Sequence, residues 1–130
     1  MPLTKERFAQ GLTLEQYLAG MSMNRERFVR ALASTTIGPQ DSHLLDRLGA
    51  VRKLLVITED WCGTSLAHVP WVVKLAAERP EIETRVFLRD ENPDVMDQFL
   101  KRGVYRSIPV FAFFDDEMNE LARFIEARPA

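Results

Sequence analysis

The pattern of apolar positions divides the chain into a helical N-terminal segment and a body of alternating strands and helices. Between residues 12 and 48 the apolar residues recur every three or four positions, which is typical of short amphipathic helices. The first predicted helix is capped by Thr13 and ends at Gly20, the second begins near Ser22 or Asn24, and the third is capped by Ser42. The side chains expected to face a core are Leu14, Tyr17, Leu18, Phe28, Val29, Leu32, Leu44, Leu45 and Leu48.

The body of the chain shows strand and helix signals in alternation. Residues 51–58 end in an aliphatic run without polar alternation, which indicates a strand covered on both faces. Residues 62–79 predict a helix, 83–88 a second strand, 93–103 a further helix, and 110–114 with 120–125 a hairpin. We therefore expect three helices followed by the order βαβαββ, in a single α/β domain.

Composition and charge narrow the classes of function. The chain has 130 residues and a formal net charge of -2, which gives little electrostatic reason to bind nucleic acid or an anionic membrane. The longest apolar runs, 54–57 and 110–114, fall far short of the ~20 residues that a membrane helix needs. Glu6 and Arg7 stand where a secretory signal would be apolar. We expect a cytoplasmic protein with neither nucleic-acid nor membrane partners.

The single cysteine is the strongest candidate for chemistry. Cys62 lies between the end of a predicted buried strand and the start of a helix, and one thiol is compatible with a reducing compartment. A cysteine reacts as its thiolate, which a helix N-terminus, the amides of Thr64 and Ser65 and the Ser65 hydroxyl could stabilise. The nearby carboxylates of Glu59 and Asp60 would oppose this. The alternative is that Cys62 is a small buried hydrophobic residue.

The stretch Trp61-Cys62-Gly63-Thr64-Ser65 resembles the Trp-Cys-Gly-x-Cys motif of the thioredoxin superfamily, and most closely that of short bacterial thioredoxin-like proteins. Pro70 matches the proline that kinks the helix after this motif, and Ser107-Ile108-Pro109 matches the segment that holds the family's cis-proline. Residues 89–93 are similar to the segment after the third thioredoxin strand. The resemblance covers residues 50–126 and implies a thioredoxin fold, with a central mixed sheet of about four strands flanked by helices. Residues 1–49 would form an N-terminal helical extension to this core.

The resemblance also implies a groove for a client protein beside the thiol. A cis-proline donates no N–H and turns the chain sharply, so the backbone of Ser107 and Ile108 would be free to pair with an extended peptide. The residues expected to contact a client are Trp61, Gly63, Thr64, Ser107, Ile108 and Pro109.

Two departures from the family pattern point to a monothiol mechanism. Ser65 replaces the second motif cysteine, and Val56 stands where thioredoxins carry a buried acid. Because a serine cannot attack sulfur, we expect Cys62 to act through a mixed disulfide that glutathione, another small thiol or a second protein resolves. Cys62 and Ser65 are the predicted catalytic residues.

A third departure concerns the end of the chain, which stops at Ala130 without the last helix of thioredoxins. The sheet face that this helix would cover must be covered otherwise, since large apolar patches are unusual on monomers. We expect the N-terminal helices to cover it, with a second subunit as the alternative, and hence a monomer or weak homodimer.

Other functions compete with thiol exchange. The missing second cysteine and the missing acid also fit a redox-inert module that binds proteins through the same groove. An iron–sulfur carrier is a weaker possibility, because one thiol per chain would demand a dimer and glutathione. We interpret His43 and His68 as surface or packing residues, and the basic cluster of Lys101, Arg102 and Arg106 as a solvated helix end that would otherwise favour acidic clients. We expect no cofactor and no metal site.

Overall fold

The fold is a four-stranded sheet with helices on both faces, seen in a computed structural model that describes residues 3–47 and 49–125. The elements, in chain order, are α1 (Lys5–Ala9), α2 (Leu14–Gly20), α3 (Arg25–Ser34), α4 (Pro39–Asp46), β1 (Lys53–Thr58), α5 (Gly63–Ala77), β2 (Glu83–Leu88), α6 (Pro93–Met96), β3 (Val110–Phe114) and β4 (Glu120–Ile125). A single 3₁₀ turn, Arg89–Glu91, follows β2. The mixed α/β class predicted from the sequence is confirmed.

The sheet has the strand order β2-β1-β3-β4, with β1 at its centre. Strand β1 pairs with β2 in parallel and with β3 antiparallel, and β4 completes the antiparallel half. Val56 of β1 lies opposite Val86 of β2 and Phe111 of β3. The carboxyl ends of β1 and β2 and the amino end of β3 therefore meet at one edge of the sheet, where the candidate site lies.

Two hydrophobic clusters on opposite faces of the sheet explain why β1 lacks polar alternation. Leu55 and Ile57 belong to one cluster, with residues of α1 and α6, while Leu54 and Val56 belong to the other, with residues of α2, α3 and α5. Side chains alternate between the two faces along a strand, so a strand covered on both faces is apolar at every position. All four of these side chains are fully buried.

The N-terminal segment holds four helices within its described residues, one more than predicted. The additional helix, α1, has five residues and one buried side chain, Phe8, so it is too short to show a helical period. Helix α2 is as predicted: Thr13 accepts a hydrogen bond from the Gln16 amide, and the Gln16 side chain accepts one from Thr13. Helix α4 begins at Pro39, three residues before the predicted cap Ser42.

Two of the predicted core positions in this segment are wrong. Val29 and Leu44 are exposed, whereas Phe28 is buried against Tyr17. A stripe of adjacent apolar residues overestimates the buried face of a short helix, because only part of that face meets the sheet. The predicted positions of Leu45 and Leu48 lie outside the side chains that the structure describes.

The N-terminal segment is also attached to the edge of the sheet. Leu12 and Val86 of β2 exchange two backbone hydrogen bonds of 2.8 and 2.7 Å, and Gly11 packs closely against Phe87. A second attachment involves α5: Nζ of Lys74 donates to the carbonyls of Leu32 and Thr35 at the end of α3. The predicted extension is therefore joined to the core at both its start and its middle.

The body of the chain follows the prediction except that β1 begins at Lys53 instead of Val51 and one helix is shorter. The bounds of β2, β3 and β4 are as predicted, and α5 lies within the predicted range with Pro70 in its interior. Helix α6 ends at Met96, however, and irregular turns continue to Gly103, which has a φ of +73°. The hairpin turn lacks a glycine, and the Asp115 carboxylate instead accepts hydrogen bonds from Glu117 and Asn119.

The described residues contain no helix after β4, and residues 126–130 lie outside the description. None of the described helices is long and apolar enough to cross a bilayer.

Candidate thiol site

Cys62 occupies the N-cap of α5, at the sheet edge where β1 ends. Its Sγ accepts a hydrogen bond of 3.5 Å from the Ser65 amide, and its carbonyl accepts the Leu66 amide at 3.0 Å. The Cys62 amide donates to the Glu59 carbonyl at 3.3 Å, which closes a tight turn after β1. Because the N-terminal amides of a helix favour negative charge, this position suits a thiolate. Cys62 is partly buried and packs against the core cluster that contains Ile108.

Ser65 lies beside the thiol but contributes its amide rather than its hydroxyl. The residue is only 2% exposed, and its Oγ has no hydrogen-bond partner among the described residues. The hydroxyl donor predicted from the sequence is therefore absent from this arrangement. Gly63 is exposed and Thr64 partly exposed at the start of the same helix.

The peptide bond between Ile108 and Pro109 is cis, in agreement with the expectation from the sequence resemblance. In the described part of the chain, the backbones of Ser107 and Ile108 make no backbone hydrogen bond. Both residues are nevertheless closed in, with 1% and 4% of their surface exposed, and the Ser107 hydroxyl has no partner among the described residues. The predicted groove is thus closed at Ser107 and Ile108, which we call its covered floor.

We call Trp61, Gly63 and Thr64, the exposed or partly exposed residues beside Cys62, the rim of the site. Trp61 is 44% exposed, and Val104 and Tyr105, just before the proline segment, are 68% and 46% exposed. The guanidinium carbon of Arg89 lies 5.0 Å from the centre of the Trp61 ring. Arg89 also donates a 3.2 Å hydrogen bond to the Arg106 carbonyl. One side chain therefore touches both the residue before Cys62 and the segment before Pro109.

The residues before Cys62 are anchored by the N-terminal helices. One oxygen of the Asp60 carboxylate accepts hydrogen bonds from the amides of Ser22 and Met23, at 2.9 and 3.2 Å, while the Asp60 carbonyl accepts one from the Asn24 side chain. Asn24 adopts a left-handed φ of 61°, which asparagine tolerates better than most residues. The segment between α2 and α3 thus holds the turn that presents the thiol.

A partly buried carboxyl group, that of Glu59, and a buried phenol, that of Tyr17, lie close to this turn. The Glu59 carboxylate accepts the Asp90 amide at 2.9 Å, and burial raises the pKa of Glu59 above its ordinary value of 4.5. Burial, with smaller contributions from the charges of Asp60 and Glu59, raises the pKa of the Tyr17 hydroxyl to about 12. A cleft of about 240 Å³ beside these groups is lined by Leu12, Tyr17, Gly20, Met21, Ser22, Glu59, Asp60 and Leu88.

The side chains of the remaining candidates from the sequence do not point to a second site. His43 and His68 are exposed, and Arg106 of the basic cluster is paired with Asp97 at 3.0 Å. In the ranges 3–47 and 49–125, no three histidine, cysteine or acidic side chains are grouped so that they could hold a metal ion.

An apolar groove of about 580 Å³ remains between α5 and the antiparallel half of the sheet. Trp71 of α5 and Phe113 and Phe124 of the hairpin line it, together with His68. Helices α2 and α3 pack on this face of the sheet, but against the half formed by β1 and β2 and against α5. The expectation that the N-terminal helices cover this face holds for half of it.

Sequence reasoning missed the contacts of Arg89, Asp60 and Tyr17. The resemblance includes Arg89 only as part of the segment 89–93, and from the sequence the Asp60 charge is expected to oppose the thiolate. The hydrogen-bond partner of Arg89 is 17 positions away in the sequence, and that of Asp60 is 38 positions away. A local sequence pattern carries no signal for contacts of this kind.

Comparisons with known proteins identify the family and agree with the overall fold. A family model described as thioredoxin matches residues 11–130. Two solved structures match 95% of this chain at 22% identity, each with a TM-score of 0.75. One is a protein of unknown function from Pseudomonas aeruginosa, of which 76% is covered, and the other is an HIV epitope scaffold, of which 77% is covered. A thioredoxin of Fasciola hepatica matches 67% of this chain and 80% of its own at 26% identity, with a TM-score of 0.47. No curated protein matches the chain at a significant level.

Proposed function

Because the chain belongs to the thioredoxin family, we propose that it carries out thiol–disulfide exchange through Cys62 as a monothiol, with an external thiol completing each cycle. The observation that carries the proposal is the placement of the one cysteine at the N-cap of α5, with Sγ on the Ser65 amide and the cis-proline segment in the adjoining core cluster. A backbone amide aimed at sulfur stabilises the thiolate, which is the form that attacks a disulfide.

The proposed reaction consists of two successive thiol–disulfide exchanges. In the first step the Cys62 thiolate attacks one sulfur of a client disulfide, and a bond forms between Cys62 and that sulfur. The client's own S–S bond breaks, and its other sulfur leaves as a thiolate that takes up a proton. An external thiolate, from glutathione or another small thiol, then attacks the mixed disulfide. This step releases Cys62 as a thiolate and transfers the client sulfur into a new disulfide with the external thiol.

Ser65 explains why the second step needs another molecule. In a dithiol protein a neighbouring cysteine resolves the mixed disulfide at a high effective concentration. Here the corresponding position holds a buried hydroxyl, and no other cysteine exists in the sequence. The proposed partners are therefore client proteins with disulfides or thiols, together with a small thiol from a reducing cytoplasm. The proposal includes no nucleic-acid or membrane partner.

In this proposal the client contacts the rim before it reaches the cis-proline segment. Trp61, Gly63 and Thr64 would meet the client beside the thiol, because they are at least partly exposed. Ser107, Ile108 and Pro109 would pair with it only after the covered floor opens, since each is buried.

The test is the formation of a mixed disulfide at Cys62. The native protein is incubated near neutral pH with oxidised glutathione, and intact mass is measured over time. We expect the mass of one glutathionyl group to be added to the wild type and nothing to be added to Cys62→Ser. Failure of the folded wild type to form the adduct would contradict the proposal.

The monothiol assignment has its own test in Ser65→Cys. Restoring a second thiol should allow the mixed disulfide to be resolved within the chain, so turnover of an insulin-type disulfide should rise above that of the wild type. Ser65→Ala serves as the matched control, because it changes the same buried position without adding sulfur. Equal turnover in all three proteins would count against the proposed role of this position.

A redox-inert binding module is the second candidate, and the covered floor at Ser107 and Ile108 is the observation that favours it. A module of this kind would bind its partners through the rim around Trp61 without using sulfur. Equal recovery of a given partner by wild type and Cys62→Ala would support this candidate, whereas loss of the partner in Cys62→Ala would support exchange.

A further inference from the structure

Arg89 stands at the junction of two segments that bear on the thiol. We call residues 59–62 the thiol loop and residues 106–109 the proline loop. The Arg89 side chain is 17% exposed, its guanidinium carbon lies 5.0 Å from the Trp61 ring centre, and one terminal nitrogen donates to the Arg106 carbonyl at 3.2 Å. Its Nε donates to the Asp90 carboxylate at 3.0 Å. The guanidinium thus lies over the Trp61 ring of the thiol loop and donates to a carbonyl of the proline loop.

This arrangement uses properties that only arginine offers. A guanidinium is planar and always charged, so it can stack on an aromatic ring and donate in-plane hydrogen bonds at the same time. A lysine ammonium at this position could keep one of these contacts but not the stack together with the directed bonds. Arg89 directly follows β2, whose last residue, Leu88, pairs with Thr58 at the end of β1, so the backbone of Arg89 lies close to the thiol loop.

We propose that Arg89 is a positioning residue that holds the thiol loop and the proline loop at a fixed separation, so that an extended client lies correctly beside Cys62. The proposal rests on the proposed function, because it assigns to Arg89 the alignment of the client for that reaction. Arg89 itself touches no reacting atom. Its effect is expected only for a substrate long enough to contact both loops.

The effect should therefore depend on the size of the disulfide. With Arg89→Met, the stem of the side chain remains while the stack and the hydrogen bonds are lost. We expect mixed-disulfide formation with a disulfide-containing peptide to slow about tenfold, because a stacked cation and a charged donor are removed together. A small neutral disulfide, such as hydroxyethyl disulfide, reaches only the thiol and should react at nearly the wild-type rate. Arg89→Lys should recover only part of the loss with the peptide.

The matched control is Arg85→Met, which removes an arginine that lies within β2, four residues before Arg89, and donates to the carbonyls of Ala9 and Gly11 instead. It should leave both rates unchanged for the folded fraction, which urea denaturation establishes for every variant. Equal slowing of peptide and small disulfide by Arg89→Met, or no slowing of either, would overturn the proposal.

A spectroscopic readout separates this proposal from the proposed function. In a Trp71→Phe background Trp61 is the only tryptophan, so its emission and its quenching by acrylamide report on the stacked guanidinium. We expect Arg89→Met to increase the quenching of Trp61 and Arg85→Met to leave it unchanged. Unchanged quenching would overturn the proposal even if Cys62 is reactive. If wild-type Cys62 were unreactive, the proposed function would fail, while this readout would still decide whether Arg89 holds Trp61.

Discussion

At the scale of single residues, the carboxylates of the thiol site have hydrogen-bond donors, whereas two of its hydroxyls have no hydrogen-bond partner among the described residues. The carboxylates of Glu59 and Asp60 both accept backbone amides, so neither is left without a donor beside Cys62. The hydroxyls of Ser65 and Ser107, in contrast, are buried without a partner among the described residues. An unpaired buried polar group costs about 1–3 kcal/mol, and such costs concentrate where function rather than stability determines the residue.

Glu59 predicts a pH dependence of stability. Burial raises its pKa, so the folded chain holds a proton at this site more strongly than the unfolded chain does. The stability contributed by Glu59 is therefore present below the ordinary pKa of 4.5 and is lost as pH rises through the raised value. Relative to the wild type, Glu59→Gln should become more stable as the pH rises from about 4 to about 7.

Urea denaturation at several pH values measures this difference. Glu91→Gln is the control, because it removes an equal charge from an exposed position in the neighbouring 3₁₀ turn. A stability difference for Glu59→Gln that does not change with pH would show that burial at Glu59 has no energetic effect.

Residue positions at the site were predictable where a motif carried them, and residue contacts were not. The sequence locates Cys62 and Ser65 at the start of α5 and Pro109 directly before β3, because a strand end, a helix start and a proline before an apolar strand are local signals. The role of Asp60 depends on the amides of Ser22 and Met23, which are near it only in the folded chain. The burial of Ile108 likewise follows from packing that no spacing along the chain reveals.

At the scale of elements, strands were predicted better than short helices. The bounds of β2, β3 and β4 agree with the sequence because an apolar run between turns defines a strand on its own. Helices α1 and α4 begin where a cap or a proline permits, and α6 ends early because its later residues pack in turns. In such short helices tertiary contacts outweigh local propensity.

The attachment of the N-terminal segment to β2 makes a prediction for Gly11. A Cβ built at this residue would lie 2.6 Å from a ring carbon of Phe87 and 2.9 Å from the Arg85 Cβ, and Phe87 is itself buried. We expect Gly11→Ala to lower the free energy of unfolding by about 1–3 kcal/mol, since a well-packed site must shift to admit the methyl group.

Gly20 offers the matched control for this substitution. It ends α2, and a Cβ there would meet nothing within 4 Å. Gly20→Ala should leave stability unchanged or raise it by up to about 1 kcal/mol, because alanine loses less backbone entropy in a helix. Equal effects of the two substitutions in urea denaturation would show that the packing of Gly11 against the sheet edge is not what joins the segment to the core.

At the scale of the whole molecule, the N-terminal segment contacts both the sheet and the loop that carries the thiol. Leu12 extends the sheet at the edge of β2, and Asp60 ties the α2–α3 connection to the thiol loop. The segment predicted as an extension of a thioredoxin core therefore also shapes the candidate site. The groove beside Trp71 shows that it replaces only part of the covering that the resemblance implied.

The central claim is that folding makes the Cys62 sulfur available for exchange rather than hiding it. The most direct measurement is the rate at which Cys62 reacts with oxidised glutathione in the folded chain, compared with the same chain unfolded in urea at the same pH, with the adduct located by peptide mass. The proposed function predicts a rate in the folded chain at least equal to that in the unfolded chain, because the Ser65 amide stabilises the attacking thiolate. Reaction only after unfolding would contradict it and would make Cys62 a packing residue of the core.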